Sequence, residues 1–409
     1  MDFYPLWPPL AVFVAMFCLA NTRLFASADQ PPTQRPRHLQ TIDGLRGYLA
    51  LSVVAYHGAI YRCFLRDGTW ATPPSSGYTI LGTGGVGVFF MITGYLFWCR
   101  LIDEQGRLDW VRLYLGRLFR IGPLYLLAIL VMVLLVMMQA NWHLKVPFTK
   151  FLNELAPWLA LGLCPTGDLN GHFTTMILTA GVTWSLRYEW LFYLALPVLA
   201  LVAGRGKVRA GLVLVATAAA FVWAYFKKPY FLSPTDCSYV TLFLIGIVCA
   251  AADRNGWTAR ISDRAASSAI VAMVTILFLT CQIGYSPQAM ALLGICFYLV
   301  ISGCTLFGIF THRASRRLGD ISYGIYLLQG LVLTVLFQSQ SIRSFALGSP
   351  VHYWAIILLG SILLVSIAAI THAWIERPGI LLGKQLARLL PAAAPVKVHV
   401  VEALGGRDR

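Results

Sequence analysis

A chain of 409 residues that is 58% hydrophobic and 12% charged carries about half the charge of an ordinary soluble domain. With a mean hydropathy of +0.69 and several apolar runs near the roughly 18 residues that cross a hydrocarbon core, it is not a soluble globular protein. The formal net charge of +15 suggests nucleic acid at first, but the positions of the cations exclude that partner.

Eleven spans are expected, near residues 6–25, 45–64, 79–98, 121–140, 184–203, 211–226, 238–252, 267–283, 289–310, 321–338 and 351–374. With the N-terminus outside and the spans alternating, 24 of the 32 Lys and Arg fall on the inner side. That is the asymmetry of a chain oriented by its cations, and it accounts for the charge without nucleic acid. The expected class is an all-α polytopic transmembrane helical bundle, with its N-terminus outside and its C-terminus cytoplasmic.

The first span imitates a secretory signal, because Ala26-Ser27-Ala28 looks like a cleavage site. No Lys or Arg precedes its apolar run and Asp2 has the wrong sign, so it reads as a retained helix. Residues 1–28 then form an extra N-terminal transmembrane helix, 29–43 a cytoplasmic linker, 44–380 the membrane domain and 381–409 a basic cytoplasmic tail.

The second span contains Asp43-Gly44-Leu45-Arg46-Gly47 and, eleven positions after Arg46, His57. At about 100° per residue this spacing puts both side chains on one helix face, roughly 16 Å apart along the axis. His57 is the one histidine expected well inside a span. An ionisable group there is either packed against a neighbouring helix through a hydrogen bond or functional as a proton acceptor. The third span carries the glycine-rich run Gly82 to Tyr95, with Gly85, Phe89, Phe90 and Gly94. Close helix approach and ligand contact both fit such a run.

The next inner loop and span supply Arg117 and Arg120, three apart and so on neighbouring helix faces, followed by Tyr125. Guanidinium groups here mark the inner side and are also suited to bidentate phosphate recognition. Residues 141–183 form the longest outer segment, whose Trp, Pro and mixed polarity suit an interfacial or re-entrant piece. Trp184, Ser185 and Glu189 then open a span. The Glu189 carboxylate is read as hydrogen-bonded to a substrate hydroxyl or to His57, or as a buried structural group. Nine cysteines lack CxxC spacing, and only Cys164 and Cys237 fall in outer loops where a disulfide is conceivable. No metal-ligand spacing is present.

These segments resemble the acyltransferase family 3 of integral-membrane acyltransferases. The residues that carry the resemblance are Arg46-x10-His57, the Gly85-to-Tyr95 run with Phe89-Phe90, and Arg117-x2-Arg120-Ile121-x-Pro123-x-Tyr125. With them come Trp184-Ser185-Leu186-x2-Glu189-x2-Phe192-Tyr193, Gly319-Asp320-Ile321-Ser322-Tyr323-x2-Tyr326-Leu327 and Ile375-Glu376-Arg377-Pro378. The order of these motifs is right from residue 43 to about 380. Gly87, Thr93 and Gln329 depart from the family's usual residues, Gln329 standing where His is common.

The resemblance implies that 44–380 is a ten-helix acyltransferase domain using cytosolic acyl-CoA, usually acetyl-CoA, as co-substrate with no tightly bound cofactor or metal. His57 and Glu189 are the catalytic candidates, His57 as general base. Arg46, Arg117, Arg120 and Tyr125 are candidates for acyl-donor binding, and Gly85, Phe89, Phe90, Gly94, Trp184, Ser185 and Tyr323 complete the candidate site. The expected acceptor is a hydroxyl of a surface or lipid-linked glycan such as O-antigen. A small lipophilic acceptor of the macrolide kind is the alternative, and a proton-coupled transporter using His57 and Glu189 is the rival of a different class.

Overall fold

The computed structural model describes residues 4–23, 25, 37–203, 207–226 and 234–390. Among the described residues the chain is helical, with no β-strand. In order the helices are α1 (Trp7–Asn21), α2 (Arg37–Asp67), α3 (Ser76–Asp103), α4 (Trp110–Gln139), α5 (Phe148–Leu159), α6 (Thr175–Leu178), α7 (Trp184–Ala200) and α8 (Lys207–Phe226). There follow α9 (Pro234–Arg254), α10 (Asp263–Thr280), α11 (Pro287–Ile301), α12 (Arg313–Asp320), α13 (Ser322–Gln338), α14 (Gln340–Gly348), α15 (Pro350–Thr371), a π-helical turn (His372–Glu376) and α16 (Arg377–Leu389).

Each expected span coincides with a helix. Six helices are long and apolar enough to cross a bilayer alone, and α12 with α13, bent by 63°, makes a seventh. α1, α11 and the Gly211–Ala220 part of α8 are apolar but shorter. The protein is a multi-pass, all-helical membrane protein. Helix starts follow local chemistry: Asp109 accepts from Arg112 N, Ser262 from Ala265 N, and Ser286 and Ser349 each cap a helix that begins with proline. These side chains satisfy amides that have no partner in the first turn.

The core lies where α2, α3, α9 and α13 meet. The apolar windows of α2 and α3 are 78% and 72% buried, against 22% for α10, which therefore stands at the periphery. Close approach is built on glycine. A Cβ on Gly94 would lie 2.3 Å from Phe243 O and one on Gly246 2.0 Å from Met91 O, so α3 and α9 touch backbone to backbone. Gly319 and Gly44 do the same for the contact between α2 and the α12 region.

Several expectations change against this frame. α2 begins at Arg37, so residues 37–43 of the expected linker are its first turns. Residues 26–36, with the Ala26–Ala28 segment, lie outside the described residues, as do 391–409 of the expected tail, whereas 381–389 belong to α16. Cys164 and Cys237 are both free thiols, so no disulfide joins them. Residues 141–183 form a cap made of α5, α6 and loops. Trp158 Nε1 closes the cap on itself by donating to Gly167 O at 3.1 Å, and the cap is tied to the bundle where the Tyr61 hydroxyl donates to Ile177 O at 3.2 Å. Tyr61 is one turn beyond His57, so the cap covers the His57 end of the bundle.

Candidate active site

A cavity of about 380 Å³ lies between α2, α3, α4, α7 and α13. Arg46 enters it from α2, Arg117 and Arg120 from α4, Glu189 and Tyr193 from α7, and Ser322, Tyr323 and Tyr326 from α13. Phe89, Phe90 and Phe97 of α3 supply an aromatic wall. All three guanidinium groups are half-buried. Among the described residues none of them has a carboxylate at ion-pair distance. Arg117 instead stands over the Phe97 ring at 5.2 Å and the Tyr193 ring at 6.0 Å. Asp43 and Glu189 also line the cavity, but neither pairs with these cations, so three like charges converging on partly desolvated space are suited to a polyanion.

Glu189 is held within this wall. The Tyr193 hydroxyl donates to Glu189 Oε1, so the carboxylate is engaged on the cavity side and makes no hydrogen bond to His57. Of the readings open for Glu189, the hydrogen bond to His57 is the one this structure does not make. Tyr326 also lines the cavity, with its ring 6.3 Å from that of Phe89 and its hydroxyl 2.8 Å from Ser185 Oγ.

His57 does not line the cavity. Its ring is 8% exposed and its Nδ1 lies 3.1 Å from Val53 O and 3.2 Å from Gln329 Oε1. Tyr56 and Trp70 flank it, with ring centroids 5.1 and 6.4 Å away. Gln329 in turn donates Nε2 to Tyr326 O at 2.8 Å. Tyr326, which lines the cavity, and Gln329, which contacts His57, are thus one turn apart on α13. Arg46 and His57 sit on one unbroken helix, as the eleven-residue spacing requires.

Of the sequence-derived set, Arg46, Arg117, Arg120, Glu189, Phe89, Phe90, Ser185 and Tyr323 converge on the cavity. Tyr125 does not: it is fully buried and its hydroxyl donates to Trp158 O at 2.8 Å, which joins α4 to the cap. Gly85 and Gly94 are packing positions, since a Cβ on Gly85 would lie 2.7 Å from Ser52 Oγ and one on Gly94 would strike α9. Trp184 lies outside the cavity in a ring cluster with Tyr188 and Tyr239, at 5.8 and 4.9 Å.

Residues 39–371 match the family model described as an acyltransferase domain. The chain belongs to the acyltransferase family 3. The match runs from the start of α2 to the end of α15, so α1 and α16 lie outside it. Nodulation protein 10 of Rhizobium leguminosarum bv. viciae is 28% identical over 386 residues, covering 87% of this chain and 97% of that protein. No solved structure matches.

Three residues of this membrane acyltransferase escape a reading of the sequence as site residues: Tyr193, Tyr326 and Gln329. Tyr193 reaches Glu189 as an i,i+4 neighbour within α7, a pairing that helix spacing offers, whereas only tertiary contact brings Tyr326 to Ser185. Gln329 offers the clearer signal, an uncharged hydrogen-bonding group in mid-span that needs a buried partner.

Proposed function

We propose that this acyltransferase moves an acyl group, acetyl in the simplest case, from cytosolic acyl-CoA to a hydroxyl of an extracytoplasmic surface glycan such as O-antigen. What carries the reading is the set of three guanidiniums without carboxylate partners in a cavity whose lining residue Tyr326 is one helical turn from the residue bound to His57. The protein sits in the inner membrane with its N-terminus outside and C-terminus inside, an orientation supported by the bias of its cations, and the arginine end faces the cytosol.

The phosphates of acyl-CoA dock on Arg46, Arg117 and Arg120 by charge-assisted hydrogen bonds. The pantetheine arm follows the Phe89 and Phe97 wall, with the Glu189 carboxylate as acceptor for an amide N–H. The thioester reaches His57 when the Phe89–Tyr326 contact parts. His57 then takes the proton of the acceptor hydroxyl while the oxygen attacks the thioester carbon. Collapse of the tetrahedral intermediate breaks the C–S bond, and the departing thiolate recovers the proton from the imidazolium. General-base help of this kind contributes about 10²- to 10⁴-fold.

The test is CoA thiol release from acetyl-CoA by purified protein in proteoliposomes supplied with a glycan acceptor. His57→Ala is expected to lower transfer by at least about 100-fold while acetyl-CoA still binds. Product at the wild-type level from this variant removes His57 from the reaction. A transporter, by contrast, releases no CoA at all.

A further inference from the structure

His57 Nδ1 has two neighbours, Val53 O at 3.1 Å and Gln329 Oε1 at 3.2 Å. A backbone carbonyl only accepts, so the Val53 contact requires a hydrogen on Nδ1. The Gln329 amide is oriented independently, because its other end meets Tyr326 O at 2.8 Å. That carbonyl can be approached only by the amide nitrogen, so the amide oxygen faces the ring. Two acceptors therefore converge on Nδ1, and no donor opposes them. Nε2 has no hydrogen-bond partner among the described residues.

We infer that Gln329 is a positioning residue that holds His57 in its Nδ1–H tautomer and leaves Nε2 as the basic nitrogen. The inference rests on the reading of His57 as general base. In the serine-protease triad an aspartate does this work and also stabilises the imidazolium. A fully buried amide (0% exposed) fixes the same tautomer without adding charge. The ring then gives up its proton to the thiolate more readily than it would beside a carboxylate.

The surroundings are consistently uncharged. On α2 the ring meets Tyr56, and Tyr61 lies one turn on. From α15 the Tyr353 hydroxyl donates to Gly58 O at 2.5 Å, and from α13 Tyr326 is linked through Gln329. The loop after α2 supplies Trp70, and α3 meets this stretch with Gly82, set against Tyr56. Arg62, five residues along α2, stands over the Tyr4 ring at 5.9 Å. Among the described residues no carboxylate lies at ion-pair distance from His57.

The experiment measures kcat, KM for acetyl-CoA and the pH–rate profile in proteoliposomes for wild type, Gln329→Leu, Gln329→Glu and His57→Ala. Gln329→Leu is expected to lower kcat about 5- to 10-fold, the worth of one neutral hydrogen bond with Val53 O still in place. Its KM for acetyl-CoA stays unchanged, since the arginines are untouched. Gln329→Glu is expected to move the acid limb of the profile to higher pH by about one unit or more. A carboxylate favours the protonated ring, so the free base is lost sooner as pH falls. Wild-type kcat in Gln329→Leu overturns the assignment. So does an unmoved acid limb in Gln329→Glu, or a rise in KM with poor membrane accumulation, which marks a structural role. His57→Ala separates the two readings: if it still transfers, the general-base reading itself falls. If it is inactive while the Gln329 variants behave like wild type, only the role of Gln329 falls.

Discussion

Replacing Arg120 by Met tests the donor site by demanding two changes of opposite sign. The side chain is half-buried and lines the cavity with Arg46 and Arg117, and no carboxylate among the described residues pairs with it. A hydrogen bond from a charged group contributes about 1.5–3 kcal/mol. Losing the phosphate contact should therefore raise the Kd for acetyl-CoA about 10- to 150-fold. Without ligand the effect reverses. Removing one of three like charges from a partly desolvated cluster relieves repulsion of about 1 kcal/mol, and Met retains most of the apolar stem. The unliganded variant should thus unfold at a higher temperature than wild type, while the stabilisation conferred by acetyl-CoA shrinks with the weakened binding. Calorimetric titration and thermal unfolding in detergent, with and without acetyl-CoA, read both quantities. Unchanged affinity refutes the donor site. A lower Tm without ligand, at intact affinity, would instead make Arg120 a structural residue with a partner.

Gly319→Ala is expected to abolish stable accumulation in the membrane, because its Cβ would lie 1.7 Å from Asp43 O in a contact between backbones that cannot yield. Wild-type levels and Tm for that variant would mean that α2 and the α12 region do not meet as described. Phe89→Ala should open the deep end of the cavity and favour longer acyl chains. Two extra methylenes at about 0.8 kcal/mol each give roughly a tenfold rise in the ratio of butyryl to acetyl transfer. A ratio equal to wild type would place the acyl group elsewhere.

What the sequence reveals and what it hides divide along physical lines. The placement of Arg46 and His57 on one face of one helix follows from spacing alone, and an unbroken α2 delivers it. The gathering of Arg117 and Arg120 with Arg46 follows from charge placement, since all three belong to one end of the bundle. Which helix faces which is not encoded in periodicity. The meeting of Tyr326 on α13 with Ser185 on α7 is therefore hidden, whereas the engagement of Glu189 by Tyr193 is an i,i+4 pair within α7 that spacing offers. Tyr125 stands in the right motif yet turns its hydroxyl to the cap. The glycine run is ambiguous because a ligand and a neighbouring backbone ask the same thing of a residue, the absence of Cβ. The close contacts at Gly82, Gly85 and Gly94 decide for packing.

That His57 does not line the proposed donor cavity has a consequence for the chemistry. A thioester that reached the base permanently would be exposed to water arriving from the acceptor side, and hydrolysis would compete with transfer. In the structure the Phe89 and Tyr326 rings, which both line the cavity, meet at 6.3 Å, and the Tyr326 hydroxyl lies 2.8 Å from Ser185 Oγ and donates to Val182 O at 3.2 Å. These are neutral hydrogen bonds of about 1 kcal/mol each, small beside the interactions that the proposed CoA would make with three guanidiniums. On the proposed reading, donor binding would be strong enough to part the Phe89–Tyr326 contact, and loss of the donor would let it re-form. The same turn of α13 carries Gln329, which fixes His57 from the other side. Movement of that turn would disturb the base as well as the gate. The opening that fits both demands is a rotation of the Tyr326 and Phe89 side chains over a stationary backbone, with the Gln329 amide left on the Tyr326 carbonyl throughout.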